Sequence, residues 1–183
     1  LTATTVDGCI DSLQKSTRVN FQPHASFTVN PICMNDSLFV NNLSTLGGGT
    51  MNYNWNFGDG STSTAVPAKH KYSTFGDYTV SVTITSDSGC VDTLSKVVHV
   101  GKNNAVAFNS LAVCEGNATS FNNTTDSTGS GGVNWIWNFG DNTSTNTYSA
   151  SHNYTTGGTY SVLLTATTVD GCIDSLRKET RVN

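Results

Sequence analysis

Charge is scarce in this chain: only 12% of its residues are Asp, Glu, Lys or Arg, leaving a net charge of −4 and a pI near 5.3. No run of basic residues occurs, so the positive surface that nucleic acid requires is missing, and anionic lipid is an equally poor partner. Apolar runs are a few residues long, far short of the roughly 20 needed to span a bilayer, which argues against membrane insertion of this segment. No charged stretch followed by an apolar core opens the chain, so any export signal is expected outside it. Nucleophile elbows, His-Glu-x-x-His helices and phosphate loops are also absent, which speaks against catalysis.

In place of charge stand 28 Thr, 21 Ser and 20 Asn, about 38% of the 183 residues. Such a surface is solvated by hydroxyls and amides. The chain also repeats itself. Leu1 to Asn20 recurs as Leu164 to Asn183 with only Gln14/Arg177 and Ser16/Glu179 different. Landmarks divide that offset: Trp55/Trp137, Gly58/Gly140, His70/His152, Tyr72/Tyr154 and Tyr78/Tyr160 are each 82 residues apart. A unit of this size suffices for a small domain with its own core. The expected organisation is the C-terminal strands of a preceding module at 1–20, then complete modules at 21–101 and 102–183, almost without linkers. Near-identity of the first and last segments suggests a longer array of recently duplicated units.

Within each module the apolar residues alternate. Met51, Tyr53, Trp55 and Phe57 are separated by Asn residues, and Val133, Trp135, Trp137 and Phe139 keep the same phase. Tyr78, Val80, Val82 and Ile84 alternate with Thr and Ser, and Tyr160, Val162, Leu164 and Ala166 keep the same phase with Ser161, Leu163 and Thr165 between them. Period two marks strands with one buried face, and no stretch of ten residues carries helical spacing. Turn residues punctuate these runs, as in Gly58-Asp59-Gly60 and Gly140-Asp141-Asn142. Six or seven short strands per module predict an all-β fold, a tandem pair of antiparallel sandwiches with Trp55 and Trp137 central in the cores.

Cysteine usage is odd in number, which in an exported protein asks for a partner beyond the chain. Cys33 and Cys90 are 57 residues apart, Cys114 and Cys172 are 58 apart, and each pair sits alike within its module. Spacing therefore predicts Cys33 bonded to Cys90 and Cys114 to Cys172, leaving Cys9 unpaired. Disulfides at this density predict an extracellular or cell-surface location.

Three spaced motifs, each present twice, carry a resemblance. The first copy reads Trp55-Asn56-Phe57-Gly58-Asp59-Gly60, His70-Lys71-Tyr72 and Gly76-Asp77-Tyr78-Thr79-Val80. The second reads Trp137-Asn138-Phe139-Gly140-Asp141-Asn142, His152-Asn153-Tyr154 and Gly158-Thr159-Tyr160-Ser161-Val162. This pattern resembles the W-D-F-G-D-G, H-x-Y and G-x-Y-x-V signature of PKD (polycystic kidney disease) domains. The resemblance implies an immunoglobulin-like sandwich used as a spacer or adhesive unit. An early cysteine with a late G-C-x-D-[ST] segment is similar to arrays in large secreted Bacteroidota proteins, including the adhesins of gliding bacteria. Asn replaces the usual first Asp at 56 and 138 and the final Gly at 142; Asn takes the left-handed backbone conformation, so the turn is expected to survive.

Asp59 and Asp141 have the chemistry to help hold calcium, but no D-x-D-x-D-G loop concentrates further ligands, so turn-amide bonding is the preferred reading and no cofactor is expected. His70 and His152 lack a second ligand at metal spacing and are read as packing residues. Asp-[ST] segments followed by an apolar residue or Thr make Ser12, Ser37, Thr93, Ser127 and Ser175 candidate O-glycosylation acceptors, similar to the Bacteroidota acceptor. Asn42, Asn117 and Asn153 head N-x-[ST] sequons of the kind that chance produces in this composition. Two functions suit these features: a repeat segment of a giant surface adhesin or filament, or an accessory region of a secreted polysaccharide- or protein-degrading enzyme that positions insoluble substrate. Expected partners are neighbouring modules, then surface glycans or other cell-surface proteins. Side-by-side pairing of modules in a fibre is a third option. Of the aromatics, Phe75 and Tyr148 are the loop candidates for an exposed binding face.

Overall fold

The computed structural model describes residues 1–183 and contains no helix. Thr- and Val-rich runs of period two offer no helical stripe to bury, so every regular element is a strand. Strands β1 (Thr2–Thr4) and β2 (Ile10–Ser12) form a short antiparallel hairpin, all of it exposed.

Two sandwiches follow. The first comprises β3 (Phe27–Thr28), β4 (Ile32–Cys33), β5 (Ser37–Asn42), β6 (Met51–Asn56), β7 (Thr62–Ser63), β8 (Ala68–Lys71), β9 (Gly76–Ser86) and β10 (Val91–Gly101). One sheet runs β3-β5-β8 and the facing sheet β4-β10-β9-β6-β7. The opening strand is thus broken in two and changes sheet, which adds one strand to the expected number, and β4 runs parallel to β10 where all other pairs are antiparallel. The second comprises β11 (Phe108–Ser110), β12 (Ala118–Asn123), β13 (Val133–Asn138), β14 (Ser144–Thr145), β15 (Ala150–Asn153), β16 (Gly158–Thr168) and β17 (Ile173–Val182). Its sheets are β11-β12-β15 and β14-β13-β16-β17, and a single parallel bridge, Val113 to Val182, takes the place of β4.

Alternation sorts the side chains as period two requires: Val80, Val82 and Ile84 are fully buried on β9, as are Val162 and Leu164 on β16. Trp55 and Trp137 are fully buried between the sheets, with Phe27 edge-on to Trp55 at 5.3 Å and Phe108 edge-on to Trp137 at 5.0 Å. Each sandwich closes its own core around this pair.

The disulfide differs from the expected pairing. Cys33 is bonded to Cys172, across 139 residues and between the two sandwiches, with the Cα atoms 5.7 Å apart; Cys9, Cys90 and Cys114 are free thiols. Neither Cys33–Cys90 nor Cys114–Cys172 forms, and strand geometry says why. Cys33 pairs with Gly101 at one end of β10, whereas Cys90 precedes Val91 at the other. Eleven residues at about 3.3 Å each hold them roughly 33 Å apart, far beyond the ~7 Å that a disulfide spans. The length of β17 separates Cys114 from Cys172 in the same way.

Candidate functional site

Two constellations stand out, one inside each sandwich and one between them. The first is a ladder of rings built by the repeated motifs. In the first sandwich Phe57 stacks on His70 at 4.4 Å, His70 meets Tyr72 edge-on at 4.6 Å, and Tyr72 stacks on Tyr78 at 4.1 Å. Phe139, His152, Tyr154 and Tyr160 repeat it at 4.2, 4.6 and 3.9 Å. Buried Tyr72 donates its hydroxyl to the Phe57 carbonyl at 2.8 Å, and Tyr154 to the Phe139 carbonyl at 2.9 Å. Burial pushes both phenols well above their ordinary pKa, with the carboxylates of Asp59 and Asp141 adding to the effect.

Those carboxylates close the ladder. Asp59 Oδ1 accepts the Ser61 amide at 2.9 Å while Oδ2 lies 2.6 Å from His70 Nε2; Asp141 accepts the Thr143 amide at 3.0 Å and lies 2.6 Å from His152 Nε2. Burial works to raise the Asp59 pKa, but the Ser61 amide and the His70 imidazole outweigh it and hold the carboxyl below its usual range. The same holds at Asp141, where the Thr143 hydroxyl and His152 prevail over burial. Gly58 is required twice over: its φ is +84°, and a Cβ there would stand 2.8 Å from the Thr79 carbonyl on β9. Gly140 repeats this against Ser161. Asn142 takes a φ of +70°, the left-handed turn expected of it, and Asn56 and Asn138 accept the amides of Gly58 and Gly140 at 2.8 and 3.0 Å.

This arrangement suits structure better than chemistry. The imidazole nitrogen that would face a nucleophile is already held by a carboxylate, and in the second sandwich Thr143 donates its hydroxyl to that same Asp141. Both oxygens of Asp59 are committed, one to the Ser61 amide of the turn and the other to His70 on β8, and nowhere do three His, Cys, Asp or Glu side chains gather as a metal site would need.

The second constellation is the junction. Gly101 ends β10 buried, and a Cβ on it would come within 2.7 Å of Cys172 Sγ, so glycine lets the turn of the second sandwich settle this closely on the first. Beside the disulfide, His99 lies 2.6 Å from Asp77 on β9 through Nδ1 and 3.3 Å from Asp170 of the second sandwich through Nε2. The Asp77 hydrogen bond raises the His99 pKa against a small burial penalty, with Asp170 assisting. Asn103 Nδ2 donates to the Met34 carbonyl at 2.8 Å. Lys102 reaches forward to Asp126 at 3.7 Å and the Thr128 carbonyl, with its ammonium 5.7 Å from the Phe75 ring. The residues that follow β10 are therefore fastened on both sides.

A family model described as the PKD domain matches this chain twice, over residues 20–100 and 103–183. The chain belongs to the PKD domain family. Among sequence relatives of these PKD modules, Collagenase ColA of Clostridium perfringens is 44% identical over 48 residues, covering 26% of the chain and 4% of the collagenase. Pre-pro-metalloprotease PrtV of Vibrio cholerae is 33% identical over 94 residues, covering 51% of the chain and 10% of the metalloprotease. The chain thus spans a tenth or less of the curated relatives it matches. Among solved structures, the PKD1 domain of Vibrio anguillarum Epp is 30% identical, with 46% of this chain covering all of that domain at a TM-score of 0.43.

The remaining candidate residues of the PKD modules divide by exposure. Ser12, Ser37, Thr93 and Ser175 are exposed and Ser127 is half-buried. The acidic residue before four of them is a backbone acceptor, Asp126 taking the Thr128 amide at 2.9 Å. Asp92 accepts the amide of Ala25 at 2.7 Å and that of Thr93 at 2.9 Å, and Asp174 accepts those of Val106 and Ser175 at 3.1 and 2.8 Å. Each ties the entry of a module to its last strand. Asp11 holds the Ser12 amide at 2.8 Å. Tyr148 is half-exposed and meets Trp135 edge-on at 5.5 Å, while Phe75 lies at the junction against Gly129. Phe21, in the segment leading to β3, and Phe39, on β5, are further exposed aromatics, and a search of loops alone does not find Phe39. The signal for Phe39 lies in its strand, since Leu38-Phe39-Val40 can bury only alternate members.

Proposed function

We propose that this chain is a non-catalytic, stiff spacer within a large extracellular or cell-surface polypeptide, holding other parts at a fixed distance and offering its polar flanks to surfaces. The observation that carries this reading is the junction: a covalent Cys33–Cys172 link, a close glycine contact and ion pairing leave the two PKD modules little freedom to bend. An intermodule disulfide also favours an oxidising compartment outside the cytoplasm. The cysteine placement suits an adhesin of the gliding-bacteria type, where many modules hold a tip away from the cell, and exposed Ser12, Ser37, Thr93 and Ser175 stand open to O-linked glycans.

A second reading is favoured by the relatives. Similarity to a collagenase and a metalloprotease fits an accessory region that positions a degradative enzyme on its substrate. The mass of the source polypeptide on a reducing, denaturing gel, followed by peptide sequencing of its flanks, separates the two. Several hundred kilodaltons of further PKD modules supports the adhesin or filament; a chain near a hundred kilodaltons with a peptidase or glycosidase attached supports the accessory role.

A further inference from the structure

Each PKD module carries one cysteine at each pole, and the geometry at the unbonded poles copies that at the bonded ones. In the turn before the last strand, Thr168 N donates to the Cys172 carbonyl at 2.9 Å, Gly171 N to the Thr168 carbonyl at 3.0 Å and Cys172 N to Thr168 Oγ1 at 3.1 Å. Ser86, Gly89 and Cys90 make the same three bonds at 2.9, 2.9 and 3.0 Å, and Thr5, Gly8 and Cys9 make them at 2.9, 3.0 and 3.1 Å. At the opposite pole the residue after Cys33 donates to Gly101 at 2.8 Å, and the residue after Cys114 donates to Asn183 at 2.7 Å. Cys90 therefore stands where bonded Cys172 stands, and Cys114 where bonded Cys33 stands. Both are free, Cys114 exposed and Cys90 half-buried.

We infer that Cys114 bonds the turn cysteine of a following PKD module and Cys90 the pole cysteine of a preceding one, so that every junction of the array is crossed by one disulfide and every module carries two. The inference rests on the tandem spacer reading. The partner is another copy of this repeat, presenting a Gly-Cys-[Ile/Val]-Asp turn to Cys114 or the cysteine equivalent to Cys33 to Cys90. In each bond two thiols lose two protons and two electrons. The acceptor is the disulfide of a thiol–disulfide oxidant, which leaves as a dithiol. The junctions are not identical: Gly101 is matched by Asn20 and Asn183, and His99 by Arg18 and Arg181, so at those junctions the cysteine turn must stand back to admit the Asn Cβ and the histidine contact is replaced.

The stagger has a mechanical consequence. The observed bond closes 139 residues against a repeat of 82, so successive loops overlap and every interior residue lies within at least one of them. Pulled from its ends, such an array carries load through the disulfides, and no module can extend to its full length, about 270–300 Å for 82 residues.

The test is to alkylate the intact source polypeptide without reductant, digest it and map crosslinked peptides by mass spectrometry. The expected result is Cys114 joined to a downstream turn peptide and Cys90 to an upstream pole peptide. Free, alkylated Cys90 or Cys114, or a link from Cys114 to Cys172 of its own module, overturns the inference. Single-molecule stretching of the same polypeptide gives a second readout: steps equal to a module's full extension, about 270–300 Å, less its folded length should appear only after reduction, and their appearance beforehand overturns it too. A source polypeptide bearing an enzyme and few modules removes the adhesin reading but leaves these linkages in place, so the two failures are distinguishable.

Discussion

Tyr72 and Tyr154 explain why the repeated motifs hold three aromatic positions at fixed spacing. A buried phenol must donate its hydroxyl, and the carbonyls of Phe57 and Phe139 are the acceptors the turn leaves free. The bond reaches back 15 residues to the turn that carries Asp59 or Asp141, so one side chain ties the end of β8 or β15 to the end of β6 or β13. Tyr72→Phe keeps the stacking on His70 and Tyr78 but leaves a buried carbonyl unpaired. The first module should lose about 1–3 kcal/mol of stability, read by chemical denaturation followed by circular dichroism, while the second is untouched. The spacing of these residues was legible in the sequence. Their use was only half legible: Asp59 was read as a turn acceptor, which it is, but its second oxygen holds His70, eleven residues away. No local pattern announces that contact, because it depends on β8 lying across the turn in the folded sandwich.

Among elements, the hairpin and the last strand of each module show how far a segment is specified by itself. Residues 1–12 pair Thr2 with Ser12 and Thr4 with Ile10, the register that Thr165 with Ser175 and Thr167 with Ile173 adopt in the complete module. The turn chemistry sets that register without a core. Beyond Leu13 the copies diverge: β17 continues to Val182 where its partner β16 is present, whereas residues 13–20 have no partner strand and form none. Asp92 illustrates the next level, since its carboxylate closes the module entry onto β10 through the Ala25 amide. That amide, with the Thr93 amide, holds the Asp92 pKa below its usual value. Asp92→Ala should free the segment leading into β3, and amide hydrogen exchange at Ala25 should become fast while the β9 amides stay protected. Unchanged protection at Ala25 would mean that β3 holds the entry unaided.

For the whole molecule the junction decides behaviour. Closing a loop of 139 residues is worth on the order of 5 kcal/mol in the chain-entropy model, and that constraint acts on the pair of modules jointly. His99 adds a pH-sensitive contact between Asp77 and Asp170. Its pKa is raised in the folded junction, so the stabilisation is complete below its ordinary value near 6.5 and fades as pH rises through the raised one. In a Cys33→Ser variant, small-angle scattering should show a straighter, less flexible pair at about pH 5.5 than at about pH 8. His99→Gln should abolish the difference; a difference that persists would assign it to another group.

Alternating residues, turn glycines and the 82-residue period settled by themselves that the chain is a tandem of antiparallel sandwiches, because strand phase and turn conformation are local properties that each repeat states again. The cysteine pairing was decided only by the tertiary structure. Equal spacing in sequence made Cys33–Cys90 and Cys114–Cys172 look alike and complete, but an extended β10 holds Cys33 and Cys90 at opposite poles, and the stacking of one sandwich on the next brings Cys172 to Cys33 instead. Distance along a repeat says which positions are equivalent; which of them touch depends on strand direction and on the end of the module that each one occupies.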